Sequence, residues 1–351
     1  MRRFRISPPK LSLGGGVGWA LARAFGPPSL VLPSPIGPPE VLIATAHRLD
    51  LAARIGGRVP ADSLNSELGV ERARGLVFAH LQTRATNRLL ADCMLTITQV
   101  AEERRVPIIW LKHAALWSLG KIRPGERDAR DVDVLVEARG AADLQAGLCA
   151  EGLTLLGTRA PTYHKPPLRA ASGACVEIHV GVWGIRGADA SALIASGSVR
   201  SAPEAPLVYV PTLELLVAHA LVHGLVQHLS SPAGYAPLRV FSDLVDLEAW
   251  KLDSREIHHH AAAGLSLDDV RAACALAECL AAGEDATRDF ATSSKERALL
   301  AHAVNASLRP TYRARLRLLR LRELKEEGGL VQAVARRLGS EVMAGISRLR
   351  R

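Results

Sequence analysis

Residues 131–136 read Asp-Val-Asp-Val-Leu-Val, an alternation with the two-residue period of a β-strand. Asp131, Asp133 and Leu135 fall on one face. Val132, Val134 and Val136 fall on the other and form a β-branched surface suited to a core. Same-face residues on a strand lie roughly 7 Å apart, so the two carboxylates can converge on shared cations. Side by side they repel one another unless positive charge sits between them. A divalent metal supplies that charge, and Mg²⁺ commonly takes one or two carboxylates together with substrate phosphates. The alternative is a solvated strand face carrying two acids, and the stretch alone leaves both readings open. Replacing either Asp131 or Asp133 by Asn is expected to leave the fold intact, because it relieves the repulsion.

Cys175-Val-Glu-Ile-His-Val180 repeats the arrangement. Cys175, Glu177 and His179 share one face, with Val176, Ile178 and Val180 behind them. If the two strands are neighbours, Glu177 becomes a third carboxylate beside Asp131 and Asp133. A Glu177 on the opposite side of the sheet would remove that arrangement.

The chain of 351 residues can bury a sizeable core and is expected to hold two closely associated domains. Prolines at 8, 9, 27, 28, 33, 35, 38 and 39 predict an extended arm over 1–40, with one short helix near Trp19–Phe25. From 41 to 105 the pattern is helical, with Leu90, Met94, Ile97 and Ala101 at helical spacing. An α/β core is expected over 106–205. It opens with a buried strand in Pro107–His113 and a helix over Ala114–Leu119. The loop Gly120–Arg130 feeds the Asp131 strand, and a further helix spans Ala141–Glu151. An irregular stretch over 153–170 includes His164.

Residues 206–351 read as a helical part with a basic tail. Leu213, Leu216, Val217, Ala220, Leu221, Gly224 and Leu225 form an apolar stripe, with His219 and His223 one turn apart on its flank. That spacing can ligate metal, although such residues more often pack or hydrogen-bond. Pro232-Ala-Gly234 breaks the chain before a helix over Leu238–Trp250 that carries Asp243 and Asp246. The His258-His259-His260 run reads as solvated surface near a helix start, and Cys274 and Cys279 as small core residues. Arginines interleaved with leucines after 309 predict a basic amphipathic helix, which either contacts RNA or an anionic surface or docks by its leucines.

Net charge is +9, from 44 Lys and Arg against 35 Asp and Glu. That balance favours polyanionic partners such as nucleotides, RNA or an anionic surface, and equally fits an arginine-rich genome. An aromatic content of 4% argues against an aromatic-rich binding surface. Five scattered cysteines without a Cys-x-x-Cys pair fit a reducing, cytoplasmic compartment. No apolar run is long enough to span a bilayer, and the broken, proline-containing start is not expected to act as a signal peptide. Walker, dinucleotide-binding and nucleophile-elbow motifs are absent, which removes P-loop, Rossmann and serine-hydrolase readings.

Leu111-Lys112, Arg127, Asp131-Val-Asp133-Val-Leu-Val136, His164 and Val176-Glu-Ile-His179 together resemble the bacterial uncharacterised nucleotidyltransferase family of the polymerase-β superfamily. Its members read Leu-Lys-Gly, then Arg-x-x-x-Asp-Ile-Asp-Leu-Leu-Val, then a His, then Val-Glu-Leu-His. The likeness covers roughly residues 80–250 and includes the His219 helix and Arg239…Asp243. It departs at His113, which stands where the family has Gly. Glycine lets backbone approach a phosphate closely, whereas histidine either crowds that corner or donates to it. A donor that gains charge would tighten triphosphate binding below about pH 6.5.

The resemblance implies an α+β fold, with a small mixed sheet flanked by helical N- and C-terminal parts. It implies Mg²⁺-dependent transfer of a nucleoside monophosphate from a nucleoside triphosphate to an acceptor hydroxyl. Asp131, Asp133 and Glu177 would be the catalytic, metal-holding residues of a two-metal site. Lys112, His113 and Arg127 would bind the nucleotide, Arg127 by a bidentate contact. His164 and His179 would be auxiliary. RNA and a small molecule both remain open as acceptor, and the oligomeric state is undetermined. The rival reading is a catalytically silent nucleotide- or RNA-binding module on the same fold.

Overall fold

The structure, a computed structural model, describes residues 15–30, 32, 37–157, 163–187, 189–202, 204–227, 238–261, 264–283 and 294–308. The expected arm before residue 15, the break at Pro232–Gly234 and the basic tail lie outside the described residues.

The architecture is α+β. A mixed sheet runs in the order β3 (Thr154–Leu155), β4 (Leu168–Arg169), β5 (Cys175–His179), β2 (Asp131–Val136), β1 (Ile108–Trp110), β7 (Ala205–Pro211), β6 (Val199–Ala202). The two strands singled out by their alternation, β2 and β5, are parallel neighbours near its centre. β1 pairs antiparallel with β2 and parallel with β7. Every residue of β1 is buried, and so are Val132, Val134, Val136, Val176 and Ile178. Central strands covered on both faces are continuous apolar runs, as Ile108-Ile-Trp110 shows.

Helices cover the sheet. The N-terminal ones are α1 (Gly15–Phe25), α2 (Pro39–Arg48), α3 (Ala52–Arg58), α4 (Ala61–Leu68) and the long α5 (Val70–Arg104). The helix expected near Trp19–Phe25 is therefore longer, and it belongs to the core, because Trp19, Leu21 and Phe25 are buried. α3 lies so close to α5 that a Cβ on Gly56 would fall 2.1 Å from the Leu76 carbonyl oxygen, which explains the glycine. α5 packs on α7 (Ala141–Ala150), on β2 and on β7. α6 (Lys112–Ser118) begins two residues earlier than its apolar pattern predicts, so Lys112 and His113 open a helix instead of closing a strand.

α8 (Ala190–Ala195) precedes the β6–β7 hairpin. After it, α9 (Leu213–Leu221) continues into a π-helical segment, Val222–Gln227. α10 (Arg239–Asp246), α11 (Ser254–His260), α12 (Leu267–Ala282) and α13 (Ser294–Leu308) complete the described chain. The triple-histidine run closes α11 and does not open it, and His260 is buried rather than solvated. Cys274 is buried in α12 as expected.

Candidate active site

The site is built on the register of β2 and β5, in which Asp131 faces Cys175, Asp133 faces Glu177 and Leu135 faces His179. Parallel neighbours in register present equivalent side chains to the same side. Asp131, Asp133 and Glu177 each bring a carboxylate oxygen within 4.8 Å of the others. Asp133 is buried, while Asp131 and Glu177 are half-buried.

Lys112 meets this cluster from the end of β1. Leu111 N–H donates to the Asp133 carbonyl at 3.1 Å, which continues the β1–β2 ladder by one bond. Lys112 then takes φ 46°, a left-handed conformation that is uncommon and strained for a residue with a side chain. The turn starts α6 and sends the ammonium back to donate to Asp133 Oδ1 at 2.6 Å. His179 Nε2 lies 2.8 Å from the same oxygen.

The electrostatics separate the three acids. Burial raises the Asp133 carboxyl, but Lys112 and His179 outweigh it and hold the group well below the usual carboxylate range. Repulsion from Asp133, then burial, raises Asp131. Burial, then Asp133, raises Glu177. Burial lowers Lys112, yet Asp133 and Asp131 reverse that and push it up to about 12. The ammonium thus already neutralises part of a site that would otherwise be strongly anionic.

Arg127 arrives on the loop between α6 and β2, which Asn87 of α5 pins from below. The Asn87 amide donates to the Arg127 carbonyl at 3.1 Å, and its oxygen accepts from Gly125 N–H at 2.9 Å. Gly125 has φ 94°, and a Cβ there would come 2.4 Å from the His80 ring, so the turn needs glycine twice over. The guanidinium of Arg127 donates from Nε and Nη2 to both carboxylate oxygens of Asp243 on α10, at 2.6 and 3.0 Å. Its bidentate edge is therefore engaged by a carboxylate, where the resemblance implied a phosphate. Arg239, one turn earlier on α10, ion-pairs with Asp50 and lies 3.6 Å from Asp128.

Between the carboxylates and the helices α9 and α10 lies a cavity of about 110 Å³, bounded by Lys112, His113, Arg127, Asp131, His219 and Arg239 among others. It is large enough for one phosphate or sugar group of a ligand whose remainder stays outside. His113 is 3% exposed, and neither of its ring nitrogens has a hydrogen-bond partner. Burial, followed by the positive charge of Arg127 and Arg239, pushes its pKa down to about 3. Without an anion in the cavity, these surroundings favour the neutral ring. His219, buried against the same cavity, is likewise pushed to about 3 by burial and Lys112. His223 is on the π-helical segment, with its ring 5.8 Å from that of His219.

His164 joins from the other side of Glu177. It pairs as a β-bridge with His179, and the two rings lie 4.0 Å apart between centroids. Its Nδ1 is 3.8 Å from Glu177 Oε2. All eight residues expected at the site thus surround one region of the β2–β5 edge and its adjoining cavity. Sequence reasoning noted Asp243 and Arg239 without giving them a place in the site, and it missed Asn87 altogether. A buried arginine in the motif was the available signal for Asp243, because such a charge requires a partner.

Among the described residues no helix is long and apolar enough to cross a membrane. No curated protein and no solved structure matches the chain. The pattern of the uncharacterised nucleotidyltransferase family matches residues 38–282, a span that contains every residue of the site described above. The chain belongs to the uncharacterised nucleotidyltransferase family.

Proposed function

We propose that the protein is a Mg²⁺-dependent nucleotidyltransferase of the polymerase-β type, which moves a nucleoside monophosphate from a nucleoside triphosphate to an acceptor hydroxyl. The observation that carries this reading is the convergence of Asp131, Asp133 and Glu177 within 4.8 Å on neighbouring parallel strands, beside a cavity edged with basic side chains. The donor set fits hard divalent cations, being all oxygen, with a carboxylate pair under mutual repulsion. Bound Mg²⁺ would neutralise triphosphate charge and favour an in-line displacement at the α-phosphorus.

The chain's own residues supply the rest. Asp131 and Asp133 would hold the cations. The acceptor oxygen forms a bond to the α-phosphorus as the bond to the bridging oxygen breaks, and pyrophosphate leaves. The hydroxyl proton passes to Glu177, whose carboxylate lies beside those of the two aspartates. Lys112 sits where it can exchange Asp133 for a phosphate oxygen. His113 supplies a neutral donor to the part of the nucleotide that enters the cavity. Arg127, held by Asp243, contributes positive potential and shapes the cavity wall rather than gripping phosphate with its bidentate edge.

The silent-module alternative rests on a specific contact, since Lys112 already satisfies Asp133 as a cation would. Purified protein incubated with each labelled triphosphate, Mg²⁺ and fractionated cell extract discriminates the two. The enzyme releases pyrophosphate and labels one fraction, RNA or small molecule, and Asp131→Asn and Glu177→Gln abolish both events. Triphosphate binding without any release in every fraction supports the silent module.

A further inference from the structure

His164, Glu177 and His179 bring one ligand atom each within 4.8 Å of one another, a set distinct in chemistry from the three carboxylates although Glu177 belongs to both. Glu177 Oε2 is 3.8 Å from His164 Nδ1 and 3.8 Å from His179 Nε2. Those separations are too long for hydrogen bonds, which lie at roughly 2.7–3.2 Å. They are close to what a shared ion requires, since bonds of about 2.0–2.1 Å in tetrahedral array put ligand atoms roughly 3.4 Å apart. The two Glu177 separations exceed that by about 0.4 Å, so small side-chain adjustments bring the carboxylate and each imidazole to ligand spacing.

The backbone holds this set in place. Lys165 N–H donates to the Ile178 carbonyl at 2.8 Å, and Val180 N–H donates to the Tyr163 carbonyl at 2.9 Å, so the segment bearing His164 is laced to the end of β5. Gln145 of α7 donates to the Pro166 carbonyl at 2.8 Å and fixes the segment from behind. His164 and His179 are largely shielded, while Glu177 keeps a third of its surface open and gives an ion a path in. His179 Nε2 also contacts Asp133 Oδ1 at 2.8 Å, so an ion bound there would exchange that hydrogen bond for a metal bond, with Asp133 in reach as a further ligand.

We propose that His164, Glu177 and His179 form a site for a borderline transition-metal ion of the Zn²⁺ class, beside the three-carboxylate set and sharing Glu177 with it. Two imidazoles and a carboxylate suit Zn²⁺, Co²⁺ or Ni²⁺, whereas Mg²⁺ prefers oxygen ligands. Three protein ligands leave a coordination position open to water or to a substrate oxygen. The site shares a residue with the function proposed above, but ion binding is read without nucleotide, acceptor or transfer.

The test is calorimetric titration of the full chain with Zn²⁺ in Mg²⁺-free buffer. A parallel Co²⁺ titration is followed by the visible absorption of a four- or five-coordinate ion. The expected result is one equivalent bound, with His164→Ala weakening it by at least the tenfold that loss of even an outer-shell partner can cause. Asp131→Asn keeps the affinity, and so does His258→Ala combined with His259→Ala. His164→Gln replaces His164→Ala if circular dichroism shows the alanine variant unfolded. The proposal is overturned by no saturable binding, or by binding that His164 variants leave unchanged. It is equally overturned by binding lost in Asp131→Asn as strongly as in His164→Ala, or by binding that resides in the His258–His260 run. Absent pyrophosphate release with an intact Zn²⁺ isotherm counts against the transfer reading alone, and the converse counts against the ion site alone.

Discussion

Asp131 and Asp133 alternate with identical valines, yet their surroundings make them different chemical groups. Asp133 is buried and answers both Lys112 and His179, whereas Asp131 faces Asp133 across a partly open site. Relief of repulsion is therefore the dominant effect expected at Asp131. Asp133→Asn removes the hydrogen-bonded partner of the Lys112 ammonium and leaves it only the charges of Asp131 and Glu177, and breaking a buried pair costs about 3–5 kcal/mol. The lower end applies, since Lys112 keeps 20% of its surface exposed, so chemical denaturation should show a loss of about 3 kcal/mol. Asp131→Asn should raise stability at neutral pH. Its folded pKa lies above the unfolded value, so the ionised form opposes folding. The gain should shrink as pH falls through the folded pKa and vanish below the unfolded value of about 3.9. Thermal melts of both variants at pH 7 and near pH 3.5 check the sign. At His113 the neutral ring predicts that His113→Gly weakens triphosphate binding by about 0.5–1.5 kcal/mol, the range for an ordinary hydrogen bond, equally at pH 6 and pH 8. Calorimetric titration at the two pH values tests this, and a stronger loss at pH 6 would mean that the ring titrates after all.

The loop between α6 and β2 is the element that brings a charged side chain from the motif to the cavity, and a helix outside the motif positions it. Asn87 satisfies a donor at Gly125 and an acceptor at Arg127, both within a buried turn. Asn87→Leu keeps the branched skeleton and removes both partners, so about 1–3 kcal/mol should be lost for each polar group left unsatisfied. Mg²⁺-dependent transfer should fall further than folding accounts for, because the loop that presents Arg127 is released. Activity measured well below the melting transition separates the two effects. The π-helical segment after α9 likewise places His223 by a local departure from regular helix, a feature frequent at functional sites.

Across the whole molecule, one cluster of buried apolar side chains runs from Val17 to Val304 and joins parts that the composition separates into helical and α/β stretches. Arg54 of α3 ties them by polar contacts as well. It donates to the Ala24 carbonyl at 2.8 Å and to both carboxylate oxygens of Asp246 on α10, at 2.7 and 2.8 Å. Asp246→Asn should cost about 3–5 kcal/mol, as for other broken buried pairs. Calorimetry should still show one unfolding transition, shifted downward, and two resolved transitions would point to independently folding units. The net charge of +9 acts at the same scale. If the acceptor is RNA, its affinity should fall steeply with salt, whereas a small-molecule acceptor should show a shallow dependence.

The sequence by itself determined the two strands, their polar faces and the metal-capable acids, because a two-residue period is a local property that no distant contact can shift by one residue without burying the wrong face. It put Lys112 and His113 at the end of a strand, whereas a left-handed Lys112 opens a helix there. Tertiary structure alone decided what each charge answers. Arg127 reaches Asp243 across 116 residues, Arg54 reaches Asp246 across 192, and His164 meets Glu177 only because β5 folds back beside it. The same packing decided that His260 is buried and that the pKa values of Asp131 and Asp133 are shifted in opposite directions. The physical reason is that desolvation and Coulombic pairing depend on which surfaces approach in space, whereas periodicity depends only on neighbours along the chain.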